Sequence, residues 1–288
     1  MALGLKEVFD FIKIEHTLFS LPFVFIGAMV AVDPTWMQLL WILVAAVGAR
    51  GLAMALNRII DKNVDAANPR TADRHLPSGS LSMMTAWTLS AIFLSMLITG
   101  AWMLNEIALQ LAWLPVIIFT IYPFLKRRTW ACHFWLGLCL GLAPAGAWIG
   151  IVGGELGWPS ITALHWWPQI FLISLGVTLW ITAFDMAYAL MDVDSDLANG
   201  IHSFPARFGS ESAIKFAVFL SILYAAVFIL SDIGIWWNIA AISMAAVNII
   251  TLTSSRNDMK QFQSRLFKAS VSTGWVLLLG LFVTLHLS

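Results

Sequence analysis

The sequence predicts an all-α, polytopic membrane protein in which nine transmembrane helices form one bundle. The first observation is composition: 60% of the 288 residues are hydrophobic and 11% are charged, whereas about 25% of the residues in a soluble domain are charged. The second is that nine apolar runs of spanning length follow one another along the chain. None alternates apolar and polar residues as a transmembrane barrel strand does. We therefore expect a single helical domain, residues 1–288, with capping loops on its cytoplasmic side.

The predicted spans are each close to the roughly 20 residues that a helix needs to cross a bilayer. They cover residues 18–36, 39–56, 85–104, 107–124, 131–153, 168–190, 213–230, 235–253 and 267–287. Residues 1–16 precede them and carry Lys6, Glu7 and Asp10, which is not typical of a secretory signal peptide. Apolar residues recur there at helical spacing, so we expect a helix that lies at the membrane interface.

Basic residues are concentrated in alternate loops of this arrangement. They precede span one and lie between spans two and three, four and five, six and seven, and eight and nine. The opposite loops contain Asp33, Glu106, Glu155 and Asp232 but no Lys or Arg. Because positive charge is retained in the cytoplasm, we expect the N-terminus inside, the C-terminus outside and a location in the plasma membrane of a prokaryote. The net charge of zero gives no electrostatic support for a nucleic-acid partner.

A polar stretch from Asn57 to Gly79 directly follows the second apolar run. Asn57, Asp61 and Asp65 are spaced four apart, so they share one face of a helix and present three oxygen-bearing side chains. Magnesium prefers such oxygen ligands and usually completes its coordination with phosphate oxygens and water. The alternative is a solvated helix end, in which the two aspartates pair with Arg58 and Lys62.

A second acidic cluster follows the sixth apolar run. Asp192 and Asp196 are four residues apart, and Asp185 lies on nearly the same helix face inside the run, where an ionisable side chain is costly and usually functional. Tyr188 lies between them, whereas Asp194 points to another face and is interpreted as solvated. Carboxylates that crowd together repel unless a cation neutralises them. We therefore expect the two acidic clusters to meet and to hold a divalent metal.

Basic residues accompany these acids. Arg50 lies inside the second apolar run, about two turns from Asn57, where it suits either Asp185 or a substrate carboxylate. Four others flank the acids from two loops and suit diphosphate oxygens, in addition to their contribution to membrane orientation; they are Arg70, Arg74, Lys126 and Arg127. No glycine-rich phosphate loop is present in the sequence. A diphosphate would therefore depend on metal and side chains.

Four motifs at these positions resemble the UbiA family of intramembrane aromatic prenyltransferases, and in particular its quinone-pathway branch. The motifs are NRIIDKNVDAANPRTADR from Asn57, DMAYALMDVDSD from Asp185, GIHSFPARFG from Gly200 and YPFLKR from Tyr122. One departure is His75, where the family usually has proline.

The resemblance implies Mg²⁺-dependent transfer of a polyprenyl group from polyprenyl diphosphate to a ring carbon of an aromatic acid. The acceptor is expected to be 4-hydroxybenzoate, with a dihydroxynaphthoate as the alternative, in ubiquinone or menaquinone synthesis. The implied metal ligands are Asn57, Asp61, Asp65, Asp192 and Asp196, and the same four aspartates with Asp185 are the implied catalytic residues. The implied substrate-binding residues are Arg50, Asn57, Arg70, Arg74, Lys126, Arg127 and Tyr188.

Two other classes compete with an enzyme. A transporter also carries intramembrane Arg and Asp, but its polar residues should continue along several helices to the outer loops. A non-catalytic scaffold gives no reason for two acid pairs at metal-binding spacing. The sequence favours the enzyme and leaves prenyl chain length and oligomeric state open.

Overall fold

The computed structural model describes residues 5–13, 17–31 and 34–287. Within these ranges all regular structure is helical, with no strand, which confirms the all-α class. The helices are α1 (Leu5–Ile12), α2 (Thr17–Ala31), α3 (Trp36–Ala67), α4 (Met83–Leu104), α5 (Glu106–Leu111), α6 (Trp113–Leu125), α7 (Cys132–Leu156), α8 (Pro159–Thr162), α9 (Gln169–Tyr188), α10 (Val193–Asn199), α11 (Phe204–Phe208), α12 (Ser210–Leu230), α13 (Ile235–Thr253) and α14 (Met259–Leu287). A short 3-10 helix, Ala189–Met191, separates α9 from α10.

Eight helical segments in the described part of the chain are long and apolar enough to cross a bilayer. They are α3, α4, the consecutive pair α5 and α6, α7, α9 with its 3-10 extension, α12, α13 and α14. The first predicted span, residues 18–36, instead contains α2, which has only 15 residues and is shorter than the usual spanning length. A helical membrane bundle is therefore confirmed, but the count of nine spans is not. Asp33 and residues 14–16 of the predicted interfacial segment lie outside the described residues.

Helix α1 packs against the protein with part of its apolar face. Phe11 is buried, and its ring lies 5.5 Å from the guanidinium of Arg58 and 6.1 Å from the His75 ring. Burial, and then the charge of Arg58, lowers the pKa of His75, which favours a neutral ring beside this cation. Phe9 is exposed. The location of α1 at a membrane interface stays a prediction, because the contacts seen here are with protein.

Several helix pairs approach closely where a glycine faces its neighbour. A Cβ atom on Gly27 of α2 would lie 2.1 Å from the carbonyl oxygen of Pro144 in α7. A Cβ atom on Gly137 of α7 would lie 2.3 Å from the carbonyl oxygen of Thr178 in α9. Lipid tails are as apolar as Leu, so helices in a bilayer associate through such close packing rather than through the hydrophobic effect. These contacts bring α2, α7 and α9 together around one side of a central cavity.

Besides a small apolar cluster of α2, α3 and α7, two larger apolar cores flank this cavity. The larger core joins α2, α7, α9, α12, α13 and α14 and contains the fully buried Trp180 and Trp237. The smaller core joins α1, α3 and α4 through residues such as Leu52 and Phe93. The cavity walls are therefore backed by packed side chains on both sides, which restricts their movement.

We expect Gly27→Ala to lower the midpoint of thermal unfolding of the protein in detergent. The added methyl group overlaps the Pro144 carbonyl, and overpacking of this kind costs about 1–3 kcal/mol. Gly146→Ala is the matched control, since Gly146 lies on α7 and its Cβ would meet no atom within 4 Å. Equal midpoints for the two variants would contradict the close packing of α2 on α7.

Candidate active site

Helices α2 to α7 and α9 enclose a cavity of about 520 Å³. Residues of both acidic clusters line its polar end. The polar side chains that line it include Arg50, Asn57, Asp65, Asn68, Arg70, Arg74, Lys126, His133, Asp185, Tyr188, Asp192 and Asp196. The structure thus brings together most of the residues singled out in the sequence. Asp61 and Arg127 are the exceptions: they do not line the cavity, and the Asp61 side chain is only 1% exposed.

The first cluster is positioned by the end of α3. This helix ends at Ala67, and Asn68 adopts an extended conformation, as expected for a residue that precedes a proline. Asn68 then connects the two clusters: its Oδ1 accepts from the Arg70 N–H at 2.9 Å, and its Nδ2 donates to Asp192 Oδ1 at 2.8 Å. Thr71 donates to the Asp65 carbonyl at 2.9 Å. The chain therefore turns back over the end of α3.

The second cluster does not lie on one continuous helix. Helix α9 ends at Tyr188, and the 3-10 helix changes the chain direction before Asp192, the residue that precedes α10. The prediction that Asp185 and Asp192 lie on one face of the same helix is therefore wrong. The two side chains nevertheless line the same cavity. They meet because α9 ends beside it.

Loop cations neutralise three of the aspartates. Asp192 accepts from Arg70 Nε at 2.8 Å and from Arg70 Nη2 at 2.6 Å, and Arg74 Nη1 lies 2.8 Å from Asp65 Oδ1. Asp61 contacts Lys126 Nζ and lies 3.1 Å from Arg127 Nη2. Asp61 and Asp65 therefore pair with these loop cations, and the alternative pairing with Arg58 and Lys62 is wrong.

These pairs change the acid–base behaviour of groups at the polar end. Burial lowers the pKa of Arg70, but the hydrogen bond and charge of Asp192 outweigh it and raise the pKa above its usual value. Burial raises the pKa of the Asp196 carboxyl, and the nearby Asp192 charge raises it further. A positive ligand close to Asp196 would oppose this shift, since an opposite charge favours the ionised carboxylate.

The oxygen donors at this end fit magnesium by type. Asn57, Asp65, Asp192 and Asp196 all line the cavity, and carboxylate and amide oxygens are ligands for hard cations. Asp61 Oδ2 is buried without a hydrogen bond, although Lys126 is its ion-pair partner. Among residues 5–13, 17–31 and 34–287, however, no three His, Cys, Asp or Glu side chains converge closely enough to hold an ion by themselves. Metal binding would therefore require oxygens of a bound ligand as well.

Arg50 has no ion pair or hydrogen bond within the described ranges of the chain. Its Nε is buried without a hydrogen bond, and the side chain lines the cavity. Asp185, one of its two expected partners, contacts His133 instead, with 2.6 Å between Oδ2 and Nδ1. A guanidinium that is partly removed from water without a partner is costly. Arg50 is thus available to an anionic group that enters the cavity.

Tyr188 lies at the junction of the two clusters. The guanidinium of Arg70 lies 5.8 Å from its ring centroid, and its hydroxyl is hydrogen-bonded to Gln263 of α14. Both contacts hold the ring at the cavity wall. Tyr188 therefore supports the position of Arg70 as well as lining the cavity.

Sequence reasoning missed His133. This side chain is 3% exposed, and besides Asp185 it contacts the backbone of Phe204, whose N–H donates to its Nε2 at 3.0 Å. The available signal was an ionisable residue near the start of the fifth apolar run, a position that is usually functional in a membrane protein. Asn68 was noted only as part of a motif, because its contact with Asp192 spans 124 residues.

The rest of the cavity is lined mainly by apolar side chains, several of them small, from several helices. They include Ala45 and Ala49 of α3, Ala101 of α4, and Ala143 and Gly146 of α7. This apolar wall suits a hydrocarbon chain, and apart from Arg50 the charged lining groups lie near or after the ends of α3, α6 and α9.

These observations define a class of protein. It is an α-helical membrane protein whose largely apolar cavity carries paired acidic and basic side chains. A model of the UbiA prenyltransferase family matches residues 20–284. The chain belongs to this family, and the resemblance found in the sequence motifs is confirmed.

Comparison with individual proteins agrees with this assignment. The 4-hydroxybenzoate octaprenyltransferase of Vibrio campbellii is 30% identical over 188 residues, which are 64% of this chain and 61% of the length of that relative. A UbiA homologue from Aeropyrum pernix K1 is 29% identical, with a TM-score of 0.82 over 94% of this chain and 98% of the other. A UbiA homologue from Archaeoglobus fulgidus, solved with GPP and Mg²⁺ bound, is 17% identical with a TM-score of 0.69, covers 94% and 99% of the two chains, and supports the fold.

We expect Asp192→Ala to release the loop that follows α3. Asp192 accepts three hydrogen bonds from Asn68 and Arg70, and their loss leaves this loop with fewer contacts to the second cluster. Hydrogen exchange should therefore accelerate at residues 68–82. Asp194→Ala is the matched control, because Asp194 is exposed in the same segment. Unchanged exchange in Asp192→Ala would contradict the connecting role of Asp192.

Proposed function

We propose that the protein is a Mg²⁺-dependent prenyltransferase that transfers a polyprenyl group from polyprenyl diphosphate to a ring carbon of an aromatic acid. The observation that carries this proposal is one cavity that is lined by residues of both acidic clusters, by loop cations and otherwise mainly by apolar side chains. A polyprenyl diphosphate has the same division into a charged head and a hydrocarbon tail. The first candidate acceptor is 4-hydroxybenzoate, because relatives with that name match the chain.

The diphosphate would bind at the polar end. Arg70, Arg74 and Lys126 line the cavity there and can form charge-assisted hydrogen bonds with its oxygens. Magnesium held by Asn57, Asp65, Asp192 and Asp196 would supply Lewis-acid stabilisation of the departing diphosphate. Asp61, which lies behind the cavity wall, would act there partly through its ion pair with Lys126. Arg127 would support Asp61 from the same side.

The aromatic acid would bind between Arg50 and Asp185. Arg50 is partly buried and has no carboxylate partner among the described residues, so it can take the acid group of the acceptor through a bidentate contact. Asp185 can accept a hydrogen bond from the ring hydroxyl, with Tyr188 beside it. A carboxylate at one end and a hydroxyl at the other would orient the ring towards the prenyl group.

The reaction then follows from these positions. The bond between the allylic carbon and the diphosphate oxygen breaks, and the diphosphate leaves with both electrons. Aromatic side chains that line the cavity, such as Phe119 and Phe184, can stabilise the allylic cation. The electron-rich ring attacks the cation to form the new carbon–carbon bond, and Asp185 or the released diphosphate takes the ring proton. The apolar wall excludes water, which would otherwise capture the cation.

We also propose that the polar end faces the cytoplasm at the plasma membrane. Loop cations Arg70, Arg74 and Lys126 line this end, and the positive-inside rule, by which cytoplasmic loops are enriched in Lys and Arg, gives the direction. A dihydroxynaphthoate is the alternative acceptor, since Arg50 would suit its carboxylate equally. The transporter alternative is less well supported because, apart from Arg50, the charged residues that line the cavity lie near or after the ends of α3, α6 and α9.

The test is an assay of membrane fractions with Mg²⁺ and radiolabelled geranyl diphosphate, with 4-hydroxybenzoate in one arm and 1,4-dihydroxy-6-naphthoate in the other. Product in one arm identifies the acceptor class. Asp65→Asn and Asp192→Asn should lower kcat about 10²- to 10³-fold, since each removes a carboxylate that would hold the Mg²⁺ needed to stabilise the departing diphosphate. Asp194→Asn is the control and should keep wild-type activity. Full activity in the Asp65 and Asp192 variants, or no Mg²⁺ dependence, would contradict the proposal.

A second variant tests the acceptor end. Arg50→Ala should raise the KM for the aromatic acid roughly ten- to a hundredfold, because a hydrogen bond to a charged group contributes about 1.5–3 kcal/mol. The KM for the prenyl diphosphate should change little. Arg50→Lys keeps the charge and should lose less affinity for the acid. If only the KM for the prenyl diphosphate increased, Arg50 would bind that substrate rather than the aromatic acid, which would contradict the prediction.

A further inference from the structure

Two consecutive hydrogen bonds join Phe204, His133 and Asp185 at the part of the cavity proposed to bind the aromatic acid. His133 of α7 contacts Asp185 of α9, with 2.6 Å between Nδ1 and Oδ2. On its other side, His133 Nε2 accepts from the backbone N–H of Phe204 at 3.0 Å. Phe204 is the first residue of α11. The imidazole is therefore held at both ring nitrogens.

These two partners assign the tautomer of His133. A backbone N–H can only donate, so Nε2 must carry a lone pair. The single proton of the neutral ring is then on Nδ1, from which it is donated to the Asp185 carboxylate. A proton on Nε2 would oppose the Phe204 N–H. His133 therefore acts as a fixed donor to Asp185.

The packing of α7 on α9 accounts for the contact between the two side chains. Gly137 and Gly141 of α7 face Thr178 of α9, where a Cβ atom would lie 2.3 and 2.2 Å from its nearest atom. Thr182 also donates to the His133 carbonyl at 3.4 Å. This close approach leaves His133, at 3% exposure, in contact with the partly exposed Asp185. The ring itself is almost completely enclosed.

We propose that His133 is a positioning residue that orients Asp185 towards the ring hydroxyl of the aromatic acceptor. The inference rests on the proposed function, because it assumes that Asp185 contacts this hydroxyl. His133 occupies Oδ2 of the carboxylate, which leaves Oδ1 for the acceptor at the cavity wall. The division of roles is the reverse of a histidine that is oriented by an aspartate: here the histidine orients the carboxylate.

A purely structural role is the competing interpretation of His133. In that case the ring serves only as an acceptor for the Phe204 N–H and keeps α11 in place. The two roles use different ring nitrogens, so they can be separated by substitution. The amide nitrogen of Asn occupies about the position of Nδ1, and the amide group of Gln occupies about that of Nε2.

The experiment compares His133→Asn with His133→Gln. Asn keeps a donor towards Asp185 and loses the acceptor for Phe204, whereas Gln keeps an acceptor for Phe204 and loses the donor. Binding of 4-hydroxybenzoate and of benzoate, which lacks the ring hydroxyl, is measured by calorimetry in detergent, together with the KM and kcat of the transfer reaction. Thermal unfolding shows whether each variant is folded.

Positioning of Asp185 predicts that the preference for 4-hydroxybenzoate over benzoate falls about tenfold or more in His133→Gln and falls less in His133→Asn. The KM for the acid and kcat follow the same order, and the KM for the prenyl diphosphate changes little in both. Equal preferences in the two variants, or a smaller loss in His133→Gln, would overturn the inference. Failure of the proposed function looks different: the wild-type protein would then neither bind the acid nor transfer a prenyl group, and the inference would fall with it.

Discussion

Neutralisation of aspartate side chains at one end of a membrane bundle is the constraint on which the rest of the site depends. Ionised carboxylates that are removed from water are costly unless cations or hydrogen bonds compensate them. Here the compensation comes from two loops: Arg70 and Arg74 from one, Lys126 and Arg127 from the other. The polar end is therefore closed by interactions between segments that are distant in sequence.

The same pairs give the site its capacity to respond to a ligand. Asp61, Asp65 and Asp192 are each paired with a loop cation. A diphosphate could also use these cations, and a metal could also use these carboxylates. A ligand that brings both phosphate oxygens and a divalent ion would exchange partners without leaving a charge unpaired. Arg50 differs from these cations because it has no ion-pair partner in the described segments, and its Nε is buried without a hydrogen bond.

Small residues have a second role besides allowing helices to pack. Gly137 and Gly141 let α7 approach α9 closely enough for His133 to bond to Asp185. Alanines on α3, α4 and α7 keep the other end of the cavity open. Thus close backbone contact on one face of α7 and open space on another arise from the same choice of small side chains.

The sequence by itself determined the helical membrane class, because repeated apolar runs of spanning length with so few charged residues require a bilayer, and helices satisfy their own backbone hydrogen bonds there. It also indicated most of the cavity residues, since aspartates at helical spacing beside an apolar run are unusual. Tertiary structure decided the partners. Contacts between distant segments determine that Asp61 pairs with Lys126 and that Asp185 contacts His133 rather than Arg50. They also determine that α9 ends before Asp192. Tertiary structure also decided the length of α2. The first apolar run is long enough to span a bilayer, but the helix it forms has only 15 residues. Local periodicity carries no information about such contacts, because hydrogen-bond and ion-pair partners are selected by the packing of the whole bundle.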